Sequence, residues 1–135
     1  MIYLLDTNVC IRLLNGDVPR VSQRLAELKP KQIRLCSIVQ QELYYGAYNS
    51  AKVQNNLAKL ERFIHPFQIL PFDSASAIAA GAIQSRLRQL GTPIGAYDLQ
   101  IAEIAIAHSL TLVTHNVREF SRIEELLYED WEAEA

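Results

Sequence analysis

Four short apolar runs recur along the chain, and segments with the apolar spacing of helices separate them. The runs occupy residues 2–5, 33–36, 68–70 and 111–114. Each run is short and lacks a helical period, so each predicts a buried strand. Strands that alternate with helices form crossover connections and a parallel sheet that is covered on both faces. The pattern therefore predicts an α/β fold.

The intervening segments carry recognisable helix boundaries. Ser37 and Gln40 have capping-box spacing, and Asp73 is a suitable N-cap for a long helix that ends near Gly91. Asn116 is expected to begin a short helix, and residues 126–128 a last edge strand. The other predicted helices start near residue 7, 19, 51 and 96. The segment 96–108 is apolar on nearly every face, so this helix is expected to lie deep in the fold.

The composition fits one compact domain that spans residues 1–135. Half of the residues are hydrophobic, and no uncharged apolar stretch approaches the length of a membrane span. The first residues lack the basic region of a signal peptide. Cys10 and Cys36 both lie in apolar runs, which predicts buried thiols in a reducing compartment. We therefore expect a cytoplasmic protein without a membrane segment.

Polar residues follow two of the predicted strands directly. Asp6 comes after the first strand, and Thr114 and Asn116 come after the fourth. In open parallel sheets, ligands bind at the carboxyl ends of the strands, so these groups are expected at one edge. An alternative is that Asp6 only caps the helix that begins near Thr7.

Three further acids have ambiguous positions. Glu42 shares a predicted helix face with Ile38, Val39, Tyr45 and Gly46, where an unpaired carboxylate is costly. The alternative is a glutamate at the rim that extends into water. Asp98 lies in the first turn of the apolar helix, where the helix dipole alone could explain it. Asn116 and Glu119 have the spacing of a capping box.

Together these acids favour a divalent-cation site. Several carboxylates without an obvious lysine partner repel one another, which raises their pKa values or requires a cation. Oxygen ligands suit Mg²⁺ or Mn²⁺ rather than Zn²⁺. The three histidines lack zinc spacing, and no serine-hydrolase elbow or glycine-rich phosphate loop occurs. The net charge of −2 and the pI near 5.9 argue against a general polyanion binder.

Four segments, taken in order, resemble the successive motifs of PIN domains. They are Leu5–Asn8, Ser37–Gly46, Ile94–Ala102 and Leu112–Phe120. The sequence is most similar to VapC, the toxin of bacterial VapBC toxin–antitoxin pairs. This resemblance implies a three-layer α/β/α PIN-like fold with a mostly parallel sheet of four to five strands. It also implies a metal-dependent endoribonuclease.

The resemblance assigns roles to the acids. Asp6, Glu42 and Asp98 would form a catalytic triad, and Glu119 would replace the aspartate that many relatives have as a fourth acid. We expect Asp6 and Asp98 to hold Mg²⁺ or Mn²⁺, and Glu42 either to complete the coordination shell or to orient the attacking water. Glu119 with Asn116 would hold water or a second metal, and Thr114 would be accessory.

The resemblance also implies partners. We expect an RNA substrate, with tRNA and the anticodon stem-loop of initiator tRNA as extrapolations. A VapB-type antitoxin and a homodimer are expected, and DNA would be contacted only through the antitoxin. Aromatic residues are common at interfaces, and three tyrosines are candidates, with core packing as the alternative: Tyr44, Tyr45 and Tyr48. Five arginines are candidate phosphate contacts or solvated surface groups: Arg12, Arg86, Arg88, Arg118 and Arg122.

Three alternatives remain open from the residues. A phosphatase of the haloacid-dehalogenase type would need an aspartate where the chain has Asn8. A receiver domain would need a phosphoacceptor aspartate after a middle strand and a late lysine. A catalytically silent PIN-like binding module would not need its triad acids.

Overall fold

The computed structural model describes residues 1–133. In this part of the chain, the strands are β1 (Tyr3–Leu5), β2 (Ile33–Cys36), β3 (Gln68–Leu70), β4 (Thr111–Val113) and β5 (Tyr128–Glu129). The helices are α1 (Thr7–Asn15), α2 (Pro19–Ala26), α3 (Ser37–Tyr48), α4 (Val53–Ile64), α5 (Ser74–Gln89), α6 (Ala96–Ala107) and α7 (Val117–Phe120). A 3₁₀ turn at Pro30–Gln32, which the sequence pattern did not predict, precedes β2.

The five strands form one parallel sheet in the order β3-β2-β1-β4-β5. Helices flank the sheet, so the predicted α/β fold is confirmed. The chain leaves β1 in one direction to reach β2 and later returns to its other side as β4. This change of direction makes a crevice at the carboxyl ends of β1 and β4, which is the usual ligand position in such sheets.

The sheet and helix α6 together form the core. Leu4, Leu35 and Leu112 in the central strands are fully buried, and so are Ile101 and Ile104 in α6. The predicted depth of this helix is therefore confirmed. Both cysteines are buried free thiols, as the sequence predicts.

The predicted helix boundaries at Asp73 and Gly91 are confirmed, and the one at Ser37 is wrong in its capping residue. Gly16 ends α1 with φ of 65° and Gly91 follows α5 with φ of 72°, conformations that favour glycine. The Asp73 side chain accepts a hydrogen bond from the amide of Ser76 at 2.9 Å, as an N-cap does. The capping box at Ser37 is wrong because Cys36 is the N-cap. Ser37 Oγ instead accepts from the amide of Phe72 at 3.0 Å and ties α3 to the segment after β3.

The last edge strand lies slightly later than predicted, at Tyr128–Glu129. Trp131 follows it and is buried against Tyr3, with ring centroids 5.6 Å apart. The guanidinium of Arg24 lies 5.8 Å from both ring centroids. This cluster fixes the end of the described chain to the first strand. None of the helices within residues 1–133 is long and apolar enough to cross a membrane.

One buried acid lies outside the expected site and predicts a stabilising substitution. Glu103 in α6 is 2% exposed, its Oε2 has no hydrogen-bond partner among residues 1–133, and burial raises its pKa. Because the folded state disfavours the ionised form, Glu103→Met is expected to raise the free energy of unfolding by about 1 kcal/mol at pH 8. The gain should shrink at pH 4, where the wild-type acid is protonated. Urea unfolding at both pH values tests this, with the exposed Glu61→Met as the control; an equal gain at both pH values would contradict it.

Candidate active site

Asp6 and Thr114 meet at the carboxyl edge of the sheet because β1 and β4 are neighbours. Leu5 pairs with Val113, and the amide of Asp6 donates to the carbonyl of Val113 at 3.0 Å. Thr114 Oγ1 then donates to Asp6 Oδ2 at 2.8 Å, while Thr7 N donates to Asp6 Oδ1 at 2.8 Å. Asp6 therefore caps α1 and also lies in the crevice, so capping and a site role are compatible. Its carboxylate is held in one orientation and is 5% exposed.

Glu42 is tied to the same edge by a residue that the sequence motifs did not assign to the site. Thr7 Oγ1 donates to Glu42 Oε1 at 2.7 Å, which links the first turn of α1 to α3. The position of Thr7 directly after Asp6 was the available signal. The expected apolar face around Glu42 is wrong in part, because Tyr45 and Gly46 are exposed. The buried residues of α3 are Val39, Leu43 and Ala47.

Asn116 joins the two remaining acids. Its Nδ2 donates to Asp98 Oδ2 at 3.4 Å and to Glu119 Oε2 at 3.3 Å. The capping-box alternative for Asn116 and Glu119 is wrong, because the Asn116 side chain makes no capping hydrogen bond to the helix. Its backbone amide instead donates to Thr114 Oγ1 at 3.0 Å. The accessory pair therefore orients three acids: Thr114 orients Asp6, and Asn116 orients Asp98 and Glu119.

The pKa values of Asp98 and Asp6 are both raised, mainly because the two side chains are withdrawn from water. The pKa of Asp98 is raised to about 7 by burial, by the adjacent Glu119 carboxyl and by the charges of Asp6 and Glu42. Burial also raises the pKa of Asp6, against the opposing effect of its hydrogen bonds from Thr114 and Thr7. Within residues 1–133, none of the four acids takes part in an ion pair. The crevice is therefore suited to a cation.

The donor set fits a hard divalent cation that retains water. In the part of the chain that the structure describes, no three His, Cys, Asp or Glu side chains form a ready-made metal cage. Mg²⁺ is usually held by only one or two carboxylates and keeps several waters. Asp6 and Asp98 are suited to this arrangement because both are partly desolvated and oriented by neutral donors.

Three of the five candidate arginines already have partners. Arg86 pairs with Glu125, Arg122 donates to the carbonyl of Pro93, and Arg12 pairs with Asp17. Arg88 and Arg118 do not touch the acids of the crevice through any hydrogen bond or ion pair found within residues 1–133. The candidate arginines therefore leave the carboxylates without a neutralising partner in the described chain.

Comparisons with known proteins show which family the sequence is similar to. The sequence matches the PIN domain family over residues 3–126. It is 39% identical to the "tRNA(fMet)-specific endonuclease VapC" of Salmonella typhimurium, over 96% of this chain and 97% of that protein. It is 40% identical to "Ribonuclease VapC2" of Rickettsia felis, over 98% and 99% of the two chains.

Solved structures of similar proteins have the same fold. VapBC2 from Rickettsia felis, bound to a DNA fragment from its promoter, superposes with a TM-score of 0.89 at 39% identity and covers 97% of this chain and 99% of that one. DNA-bound VapBC from Salmonella typhimurium gives a TM-score of 0.90 at 38% identity, over 97% and 98% of the chains. The chain therefore belongs to the PIN domain family, among its VapC ribonucleases.

Proposed function

We propose that this chain is the toxin of a toxin–antitoxin pair and cleaves RNA phosphodiester bonds with Mg²⁺ or Mn²⁺. The observation that carries the proposal is the carboxylate cluster at the β1–β4 crevice, formed by Asp6, Glu42, Asp98 and Glu119 without an ion pair in the described chain. Metal dependence is general in this family, and the oxygen donors favour Mg²⁺. The names of two relatives support tRNA, including initiator tRNA, as the substrate.

The proposed mechanism is hydrolysis by water. A bound divalent cation supplies positive charge that offsets the carboxylates and polarises phosphate oxygens. Asp6 and Asp98 hold it, with Thr114 and Asn116 fixing their orientations. Glu42, fixed by Thr7, accepts a hydrogen bond from the water that attacks phosphorus in line. Glu119 and Asn116 orient further water. The bond from phosphorus to the 3′ oxygen breaks, which leaves a 3′-hydroxyl and a 5′-phosphate.

Partner binding is supported by two surfaces. A cavity of about 280 Å³ between α1, α3 and α4 includes Glu42 at its edge and Ile11, Leu14 and Leu60 in its lining. An antitoxin segment bound there would reach the carboxylate cluster. On α3, Tyr45 and Tyr48 are 69% and 62% exposed, which favours an interface over core packing.

The assembly we propose contains a homodimer of this chain and a VapB-type antitoxin. Three similar solved structures are VapBC complexes, and two of these three contain DNA. DNA contact would come through the antitoxin. We also propose that residues 1–135 form one PIN domain and that the protein acts in the cytoplasm, where two reduced, buried thiols are stable.

Cleavage of a purified total tRNA pool tests the function. The wild type is expected to cut with Mg²⁺ and to leave 5′-phosphate ends, and EDTA should abolish cleavage because the carboxylates then lack their cation. Sequencing of the ends with and without phosphatase treatment identifies the products. Cyclic 2′,3′-phosphate ends would contradict attack by water, and cleavage that persists in EDTA would contradict the metal site.

The alternative activities are not favoured. A haloacid-dehalogenase phosphatase and a receiver domain belong to other families than the one matched over residues 3–126. A silent binding module is disfavoured because the four acids lie at one sheet edge and relatives at 39% and 40% identity are named as nucleases.

A further inference from the structure

A second cavity adjoins the carboxylate cluster at Asn116. It has a volume of about 380 Å³ and is lined by Asn8, Ile11, Arg12, His115, Asn116 and Glu132. Asn116 also contacts Asp98 and Glu119, so this residue borders both the cavity and the cluster. We call the cavity the Asn116 pocket. RNA that places a phosphate at the carboxylates would place a neighbouring nucleotide at this pocket.

The charges around the Asn116 pocket do not favour a phosphate. Arg12 lies 3.4 Å from Asp17 Oδ2 and 3.6 Å from Glu132 Oε1. His115 Nδ1 lies 3.0 Å from Asp130 Oδ2, and Arg20 is occupied by the carbonyl of Glu132 at 2.8 Å. Three carboxylates, those of Asp17, Asp130 and Glu132, thus stand against the two guanidiniums of Arg12 and Arg20, so the rim has no surplus of positive charge. An anionic group gains little here, whereas an uncharged group can enter.

The lining suits a flat heterocycle with a polar edge. His115 is anchored by its Nδ1, and its side chain is 60% exposed, so a ring face is accessible. Unpaired bases of RNA commonly stack on histidine rings and arginine guanidinium planes. The amides of Asn8 and Asn116 can each donate and accept hydrogen bonds, as a base edge requires. Ile11 adds an apolar surface.

We propose that the Asn116 pocket binds one unpaired nucleobase next to the cleaved bond, with His115 stacking on the base and Asn8 contacting its edge. The inference rests on the proposed ribonuclease function. It makes His115 a residue that selects RNA in which this base is unpaired. Base stacking on a side chain contributes about 1–3 kcal/mol, which corresponds to about 5- to 150-fold in affinity.

The test is a double-mutant cycle that combines a substitution in the protein with the removal of one base from the RNA. The probes are a single-stranded RNA oligonucleotide that contains a mapped cleavage site and two copies with an abasic ribose on the 5′ or the 3′ side of the cleaved bond. For the wild type, one abasic copy is expected to lower kcat/KM by about tenfold or more, mainly through KM. His115→Ala should lose a similar factor on the intact RNA and then discriminate less than about threefold. His65→Ala, which removes an exposed histidine elsewhere, is the matched control and should behave as the wild type.

Binding measurements keep the inference separate from the catalytic proposal. Fluorescence anisotropy measures the affinity for the same oligonucleotides. The Asp98→Asn substitution is added to every protein in this cycle so that the RNA is bound but not cleaved. Weaker binding of one abasic copy that disappears with His115→Ala supports the pocket, even where cleavage fails for another reason. Equal penalties for base removal with and without His115, or no penalty in any protein, would overturn it.

Discussion

Asp98→Asn is expected to lower kcat/KM for RNA cleavage by about a thousandfold, close to 4 kcal/mol of transition-state stabilisation. Asparagine keeps the shape of the side chain and can still accept the hydrogen bond from Asn116. It removes the charge that we propose holds the cation. Single-turnover cleavage of tRNA at saturating Mg²⁺ measures the effect on chemistry directly.

The same substitution is expected to stabilise the metal-free protein. The pKa of Asp98 is about 7 in the folded protein and near 3.8 in an unperturbed chain, so the folded state binds this proton more tightly. Stability from this group therefore falls as pH rises from about 4 to about 7 and stays low above that. Because Asp98 is partly exposed, we expect a gain of only about 1–2 kcal/mol for Asp98→Asn at pH 8, and almost none at pH 4.

Asp73→Asn is the matched control for both measurements. It makes the same change from a carboxylate to an amide, but at the N-cap of α5 outside the crevice. Asparagine is an equally good N-cap there. It should leave cleavage unchanged and change stability little. A large loss of activity in Asp73→Asn, or full activity in Asp98→Asn, would show that the charge of Asp98 is not the cause.

Mg²⁺ is expected to stabilise the wild-type protein strongly at pH 8. At a concentration about 100 times its dissociation constant, a ligand that binds only the folded state adds about 2.7 kcal/mol to the free energy of unfolding. The charge of the cation then offsets the burial and the carboxylate repulsion that together raise the pKa of Asp98. Thermal unfolding in EDTA and across a Mg²⁺ titration measures the gain. The gain should weaken toward pH 5.5, where protons compete for Asp98.

Asp6→Asn should remove most of this stabilisation, whereas Asp73→Asn should keep it. An asparagine in place of Asp6 can still cap α1 through its side-chain carbonyl oxygen, so the variant is expected to fold. An equal Mg²⁺ response in the wild type and Asp6→Asn would place the cation elsewhere on the protein.

The fold was largely predictable because its three central strands are largely buried and its helix ends have strong local signals. The strand at 33–36 and the N-cap at Asp73 follow from such local features. The 3₁₀ turn at Pro30–Gln32 did not follow from local sequence features. The partner of Ser37 could not be predicted from them either, because Ser37 bonds to Phe72, which is distant in sequence. A capping pattern cannot show that a side chain has a better partner across the fold.

The acids of the site could be predicted from the sequence, but the hydrogen bonds that join them to their neighbours could not. Asp6 and Asp98 stand out because strand order and helix polarity place them at the same sheet edge. The link from Thr7 to Glu42 spans 35 residues and depends on how α1 packs on α3. The role of Asn116 was ambiguous for the same reason, since its capping spacing is local and its contact with Asp98 is not.

The most direct test of the account is an anomalous difference map from a crystal of this protein soaked in Mn²⁺. We predict a peak at the carboxyl ends of β1 and β4, at the carboxylates of Asp6 and Asp98 that would hold the ion, since oxygen donors of this kind suit Mn²⁺. A map without a peak there, or with Mn²⁺ bound only at other acids, would contradict the central claim that these carboxylates converge to hold a cation.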